Sequence, residues 1–394
     1  MIAGAPREFG VYVHIPFCQV QCPYCTFFTV PRPGPPFTRF VASLQREWEL
    51  RVGPRLAAGE RARTLYLGGG TPSDLPLHEL EAFLARLAAD LPGGLQGLAE
   101  VTVECNPESA TPELLSMLRE LGASRISLGV QSLHAGDLRR LGRLATRQHV
   151  EAALEAVGTR FDSWSADLIV GIPGSSRRRL AASLARLESA GAPHVSFYCL
   201  ELPEARARLL PGEPWSERRV AGAYEFVSRW LEERGYEHYE ISSAARPGQR
   251  AQHNSAYWER RDYVGLGPGA HSLAGAVRRA NKPDLQAYQT ALQAGRLPPA
   301  RKERLSAAMV WREKLLLGLR RRSGVSVPEL GLTPVLPFFE KLQHRRLGCL
   351  EGDRFRLLPA GWMISDSIVL QCITALERGP ARVDKAPTPQ LHST

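Results

Sequence analysis

Cys18, Cys22 and Cys25 place three thiols within eight positions, in the stretch VHIPFCQVQCPYCTFF. A thiolate is a soft metal ligand, and three at this spacing meet only where the backbone wraps around a bound centre, as a loop after a strand can. A structural zinc site wants four side chains, usually from two separated pairs, and the chain has no second pair. An iron–sulfur cubane normally takes four thiolates. Three leave one iron without a protein ligand, and an open iron is a place for a small molecule to coordinate. Cys105, Cys199, Cys349 and Cys372 are scattered through apolar contexts and read as buried thiols behaving as small hydrophobes.

Other polar groups recur near the ends of strand-like runs. LYLGGGTPSDL, Leu65 to Leu75, sets three glycines where a backbone can turn sharply and approach a ligand closely; a plain strand-to-helix turn is the other reading. Glu104 in VECNPE, Gln131 in SLGVQS and Asp167 in ADLIVGIPG lie near three further strand ends. There a carboxylate or amide facing a cavity can accept from an ammonium or a ribose hydroxyl. Helix capping or support of a neighbouring group is the competing role for each.

The elements that must position these groups follow from periodicity. Residues 10–14, 64–67, 100–104, 125–128, 166–170 and 194–198 read as strands, and 37–56, 76–90, 111–121, 146–157 and 176–190 as helices with apolar positions three and four apart. Six strands alternating with helices imply parallel units with right-handed crossovers. Apolar runs such as DLIV suit a sheet covered on both faces. Six units are fewer than the eight of a closed barrel, so the expected fold class is α/β, a partial (β/α)6 barrel with its site at the carboxyl ends of the strands. Residues 265–272, GLGPGAHS, read as a glycine-rich loop. Beyond it, 285–295 and 308–319 read as helices, 327–350 as short helices, and 354–376 as a strand, a turn and a final helix. This divides the chain into a barrel at 1–275, a mainly helical, winged-helix-like domain at 276–377, and a tail at 378–394 too poor in apolar residues to pack.

The 394 residues carry a net charge of +10 and are 44% hydrophobic, ordinary for a globular α/β protein. No apolar run approaches the roughly 20 residues that span a bilayer, and the amino-terminal residues lack an export signal, so a cytoplasmic protein is expected. The basic residues occur in small groups interleaved with acids, without an aromatic stacking platform. That distribution disfavours nucleic acid as a partner and suits an anionic ligand or a membrane-surface partner equally well.

CxxxCxxC after the first strand of such a barrel resembles the signature of radical S-adenosylmethionine enzymes. The resemblance implies a 4Fe-4S cluster on Cys18, Cys22 and Cys25 whose open iron chelates S-adenosylmethionine, and reductive cleavage of that cofactor to a 5'-deoxyadenosyl radical. Gly69, Gly70 and Thr71 match the segment that contacts the methionine amino group. Glu104, Gln131 and Asp167 match cofactor-binding positions of HemN-like proteins; by the same carry-over Tyr12 and Tyr24 flank the cluster loop and Arg143 lies within cofactor reach. Within that family the oxygen-independent coproporphyrinogen III dehydrogenases carry a further cysteine, CxxxCxxCxC, and an extended amino-terminal segment. Here Phe27 stands at the cysteine position and little precedes the first strand. CPYCTF is similar to the HemW haem chaperone branch, with Thr26 at the usual aspartate. HNSAYW, containing His253, Asn254, Tyr257 and Trp258, resembles the signature that this branch associates with haem; a neutral imidazole can ligate haem iron, and the aromatic rings offer flat surface to a porphyrin. His271 in GPGAHS is a rival ligand. The resemblance therefore implies haem as ligand and haem proteins of the respiratory chain as acceptors, with peripheral contact at the inner face of the membrane and a homodimer as corollaries. Radical oxidative decarboxylation of coproporphyrinogen and radical modification of nucleic acid are the alternatives.

Overall fold

The computed structural model describes residues 6–31, 37–202 and 215–378. All six expected strands are present: β1 (Glu8–Ile15), β2 (Arg61–Gly69), β3 (Glu100–Cys105), β4 (Arg125–Gln131), β5 (Trp164–Val170) and β6 (His194–Cys199). They lie side by side in chain order, every neighbouring pair parallel. The sheet then extends at both ends. Beyond β6 lie β7 (Glu237–Glu240) and β8 (Ser243–Ala245), in the order β6-β8-β7; on the other side of β1 come β9 (Tyr263–Leu266), β10 (His271–Ala274), β11 (Val277–Asn281) and β12 (Ala300–Arg304), making twelve strands. β9 is parallel to β1, so the parallel run is one strand longer than expected. The terminal strands β12 and β7 do not pair with each other, and the sheet stays open.

The two faces of the sheet differ because strand side chains alternate. Val11, Val13, Leu65, Leu67, Val101 and Val103 point outward into a buried apolar layer shared with helices α1 (Phe37–Arg51), α2 (Leu77–Asp90) and α3 (Pro112–Leu121). Tyr12, Tyr66, Glu104, Ser127, Asp167 and Ser196 occupy the opposite face. The sheet curls enough that Tyr66 on β2 stands within electrostatic reach of Asp167 on β5 and Tyr198 on β6. A flat sheet would hold β2 and β5 roughly 14 Å apart.

Thr111 caps α3 by accepting from the Leu114 N–H, with Pro112 in the first turn. The single helix expected at 37–56 breaks at Val52, and a short helix, Gly53–Ala57, follows with Pro54 in its first turn. The segment expected to be a glycine-rich loop is mostly hairpin: only 267–270 separate β9 from β10. Residue 275 falls in the turn between β10 and β11.

At the carboxyl end, helices Ala307–Leu319, Leu336–His344 and Ser365–Arg378 accompany a three-stranded antiparallel sheet, Val325–Ser326, Arg354–Leu357 and Gly348–Glu351; the expected run of short helices over 327–350 therefore ends in a strand, because Gly348–Glu351 pairs with Arg354–Leu357. Trp362 joins this unit to the barrel: its ring packs against His238 with centroids 4.5 Å apart, and its N–H donates to the Leu319 carbonyl at 2.9 Å. Cys105 and Cys372 are buried thiols as expected, whereas Cys199 and Cys349 are only partly covered because each lies at a strand position near the rim of its sheet. Among the described residues no helix is long and apolar enough to cross a membrane. The expected tail beyond 378 lies outside the described residues.

Candidate functional site

Strands β1 to β5 and the loops that leave their carboxyl ends carry most of the expected site residues. β1 ends at Ile15, and the two-residue strand Phe17–Cys18 leads into the cysteine loop. A turn closed by the Cys25 N–H donating to the Cys22 carbonyl at 3.0 Å brings the last two cysteines close along the loop. Among the described residues no three Cys, His, Asp or Glu groups converge on one ion-sized point; three thiolates that each bind a different iron of a cubane need not. Burial pushes the Cys18 thiol up to about 11, although the Thr71 hydroxyl, 3.4 Å from its sulfur, acts in the other direction. A metal centre must displace that proton on binding.

The glycine turn after β2 is shaped by close approach. A side chain on Gly68 would strike the Glu104 carboxylate, one on Gly69 (φ 107°) the His14 ring, and one on Gly70 the backbone of Pro16 and Phe17. The absence of those side chains lets the turn dock on the cysteine loop, with the N–H groups of Gly70 and Thr71 donating to the carbonyls of Ile15 and Phe17 at 2.7 and 2.8 Å.

Glu104 accepts from the Tyr66 hydroxyl at 2.7 Å and from the Gly69 N–H at 3.1 Å. It retains some exposure to the open mouth, yet burial dominates and pushes its carboxyl up to about 7. Asp167 accepts from Ser127 at 3.1 Å, burial also raises its carboxyl, and its Oδ1 is buried without a partner. Two neighbouring buried carboxylates, one with an oxygen left unpartnered, are suited to a cation or to hydroxyl groups.

Arg143 donates to the Asn106 Oδ1 at 2.6 Å and the Gly129 carbonyl at 3.2 Å, and stands 3.8 Å from the Cys22 sulfur. Burial works against its charge; Tyr24, Cys22 and Glu108 more than offset that effect. Gln131 ends β4 at a register irregularity with φ 62°, a left-handed conformation uncommon outside glycine and found at constrained sites. The side chains of Gln131, Asn106 and Arg143 gather over Gly129, whose missing Cβ leaves them room.

Two members of this cluster went unread in the sequence. Asn106 bridges the site, receiving from Arg143 and donating to the Thr71 hydroxyl at 3.0 Å. His14 links the Tyr12 hydroxyl (3.0 Å) to the Phe28 carbonyl (2.8 Å), tying the return of the cysteine loop to β1. The signal for both is position: each polar side chain stands at the carboxyl end of an otherwise apolar strand.

His253, Asn254, Tyr257 and Trp258 fall elsewhere. They lie on the short helix Gln252–Trp258, against the amino-terminal half of the inner face, below Tyr66. The helix begins at Ala251, which cannot cap it, and Glu100 supplies the acceptors instead, taking the Gln252 and His253 N–H groups at 2.7 and 3.0 Å. The His253 ring is buried, and both nitrogens are engaged: Nδ1 with the Thr64 hydroxyl at 2.7 Å and Nε2 with the Tyr257 hydroxyl at 2.8 Å. It stacks on Tyr66 at 5.2 Å, and burial lowers its basicity to about 3. Asn254 and Trp258 are half-buried and make no hydrogen bond among the described residues.

An open parallel sheet with a three-thiol loop after its first strand and a glycine turn after its second defines a radical S-adenosylmethionine protein, and the Radical SAM superfamily model matches residues 12–187. The heme chaperone HemW of Mycobacterium tuberculosis is 35% identical over 372 residues, covering 92% of this chain and 94% of that protein. That of Lactococcus lactis is 34% identical over 81% of this chain and 83% of its own length. The solved structure of coproporphyrinogen III oxidase (HemN) from Escherichia coli, a radical SAM enzyme, superposes with a TM-score of 0.78 at 22% identity, covering 93% of this chain and 90% of that one, and so shares the fold. The chain belongs to the HemW family of radical SAM proteins.

Membership implies a 4Fe-4S cluster and S-adenosylmethionine. The structure fits both: three thiols stand in one loop beside a guanidinium, and next to them is a cleft with unsatisfied buried carboxylate oxygen and close backbone approach.

Proposed function

We propose that the protein is a haem chaperone that holds a 4Fe-4S cluster and S-adenosylmethionine at the barrel mouth, binds haem, and passes it to a respiratory haem protein at the membrane. The supporting observation is similarity over nearly the whole chain to proteins named heme chaperone HemW. In this reading Cys18, Cys22 and Cys25 hold three irons. Gly69, Gly70 and Thr71 face the methionine amino group, Glu104, Gln131 and Asp167 receive amino and hydroxyl groups of the cofactor, and Tyr12, Tyr24 and Arg143 enclose it. When bound, the cluster supplies an electron donor and an open coordination position. The chain's own residues orient the cofactor, screen it from water and balance its charge.

Phe27 separates this reading from oxidative decarboxylation of coproporphyrinogen. It is 60% exposed on the rim of the cluster loop, an apolar group where the decarboxylating branch carries a cysteine. The test is anaerobic reconstitution of the full chain with iron and sulfide, then haem titration in parallel with a coproporphyrinogen turnover assay. Haem binding without protoporphyrinogen formation is expected. Turnover of coproporphyrinogen, or failure to take up haem, overturns the proposal.

A further inference from the structure

The interior helix that carries His253 offers no free imidazole nitrogen, and the mouth of the barrel does. His271 opens β10 and is exposed, and among the described residues its ring has no hydrogen bond or ion pair. Its place is fixed by register. β10 runs antiparallel to β9 with Tyr263 opposite Leu273, and Tyr263 faces Gly10 of β1 on the inner side of the sheet. Two residues from Leu273 and on the same face, His271 stands at the carboxyl end of that inner side, close enough to His14 to influence its charge.

The turn that delivers His271 is held firmly. Glu47, fully buried, accepts from the Gly267 N–H, the Asn281 amide and the Tyr288 hydroxyl at 2.7 to 2.8 Å and from Arg51 at 3.1 Å, while Asn281 also donates to the Gly267 carbonyl at 2.9 Å. Beside the turn lies apolar surface. A Cβ on Gly269 would touch Phe28 at 3.3 Å, and the next residue back, Phe27, is exposed. A cation completes the set: Ala280 of β11 lies opposite His271, and Arg301 of β12 opposite Ala280. Residues directly opposite share a face, so Arg301 is on the side of His271, two strand spacings or roughly 10 Å away. Arg301 is exposed and makes no hydrogen bond or ion pair among the described residues.

A free imidazole, an exposed aromatic surface and an unpaired guanidinium on one rim match the iron, the flat macrocycle and a carboxylate arm of a metalloporphyrin. We propose that His271, rather than His253, ligates the haem iron, with Phe27 and Phe28 against the macrocycle and Arg301 facing a propionate. The assignment rests on the haem-binding reading above. It puts the cargo beside the cluster loop and leaves His253 as a residue that positions the barrel interior.

The test is anaerobic titration of the reconstituted full chain with ferric haem, read by the Soret band. His271→Ala loses the imidazole-ligated spectrum and weakens binding by about tenfold or more; added imidazole restores the band, and His271→Met shifts it to that of a thioether ligand. Arg301→Ala weakens haem binding by a smaller factor and leaves the spectrum unchanged. His253→Ala lowers the thermal midpoint, while the folded fraction keeps the wild-type Soret band. A His271→Ala protein with wild-type spectrum and affinity overturns this assignment alone, as does a folded His253→Ala protein without the ligated band. Wild-type protein that takes up no haem overturns the assignment and the chaperone reading together.

Discussion

The two ends of the barrel interior are built from the same residue types and behave in opposite ways. At the floor both ring nitrogens of His253 have a partner, its helix is capped by Glu100, and the rings of Tyr66 and Tyr257 pack against it, with Tyr263 behind Tyr257. At the mouth the Oδ1 of Asp167 and the Nε of Arg143 are buried without partners, Gln131 holds a left-handed backbone, and the Cys22 thiol faces a guanidinium. Buried polar groups are normally satisfied because desolvation without a hydrogen bond costs free energy. The surroundings of His253 obey that rule and read as support. The mouth departs from it in several places at once, which is what a site completed by its ligand does.

The largest test of this contrast lies in the cluster loop. Replacing any of Cys18, Cys22 or Cys25 with alanine is expected to abolish the iron–sulfur absorption and the bound iron after anaerobic reconstitution, with little change in the apoprotein's circular dichroism. Wild-type iron content in Cys22→Ala would remove the open-cluster reading. At the floor, His253→Ala deletes a packed ring and strands two hydroxyls, so thermal or denaturant unfolding should show a loss of about 3 kcal/mol. An effect confined to ligand binding, with stability intact, would erase the distinction between the two ends.

Glu104 tests the mouth through pH. Its carboxyl is raised to about 7 by burial, above the unfolded value near 4.5. Stability of the ligand-free protein is therefore highest below about pH 4.5 on this group's account, and falls as pH rises through 7, because the unfolded chain ionises first. The full loss is about 3 kcal/mol. Glu104→Gln should flatten that part of the stability profile, and in the proposed reading, where the cofactor ammonium meets Glu104, bound S-adenosylmethionine should flatten it in the wild type. Asn106→Ala, which frees Arg143 and Thr71, is expected to weaken cofactor binding in calorimetry by about 1.5 kcal/mol while barely moving the unfolding midpoint. Tyr257→Phe is the mildest test: one floor hydrogen bond is lost, about 1 kcal/mol of stability, with cofactor binding unchanged.

Sequence alone determined the parts whose information is local. The six central strands, the helices between them and the thiol spacing were legible because strand periodicity, caps and turn glycines are written within a few residues, and motif resemblance then carried Tyr12, Gly69, Gly70, Thr71, Glu104, Gln131, Arg143 and Asp167 to the mouth. Asn106 and His14 stayed hidden because their importance lies in partners across the site: Asn106 is 37 residues from Arg143, and His14 reaches Phe28 through the return of a loop. Only the tertiary structure decided the fate of the histidines. His253 sits in the more informative motif, but α-helical packing under Tyr66 uses both of its nitrogens; His271 sits in a turn that looked merely glycine-rich, and an antiparallel hairpin, anchored by buried Glu47, sets it free at the mouth. Whether an imidazole can bind iron depends on what its nitrogens already touch, and that is a property of the folded chain.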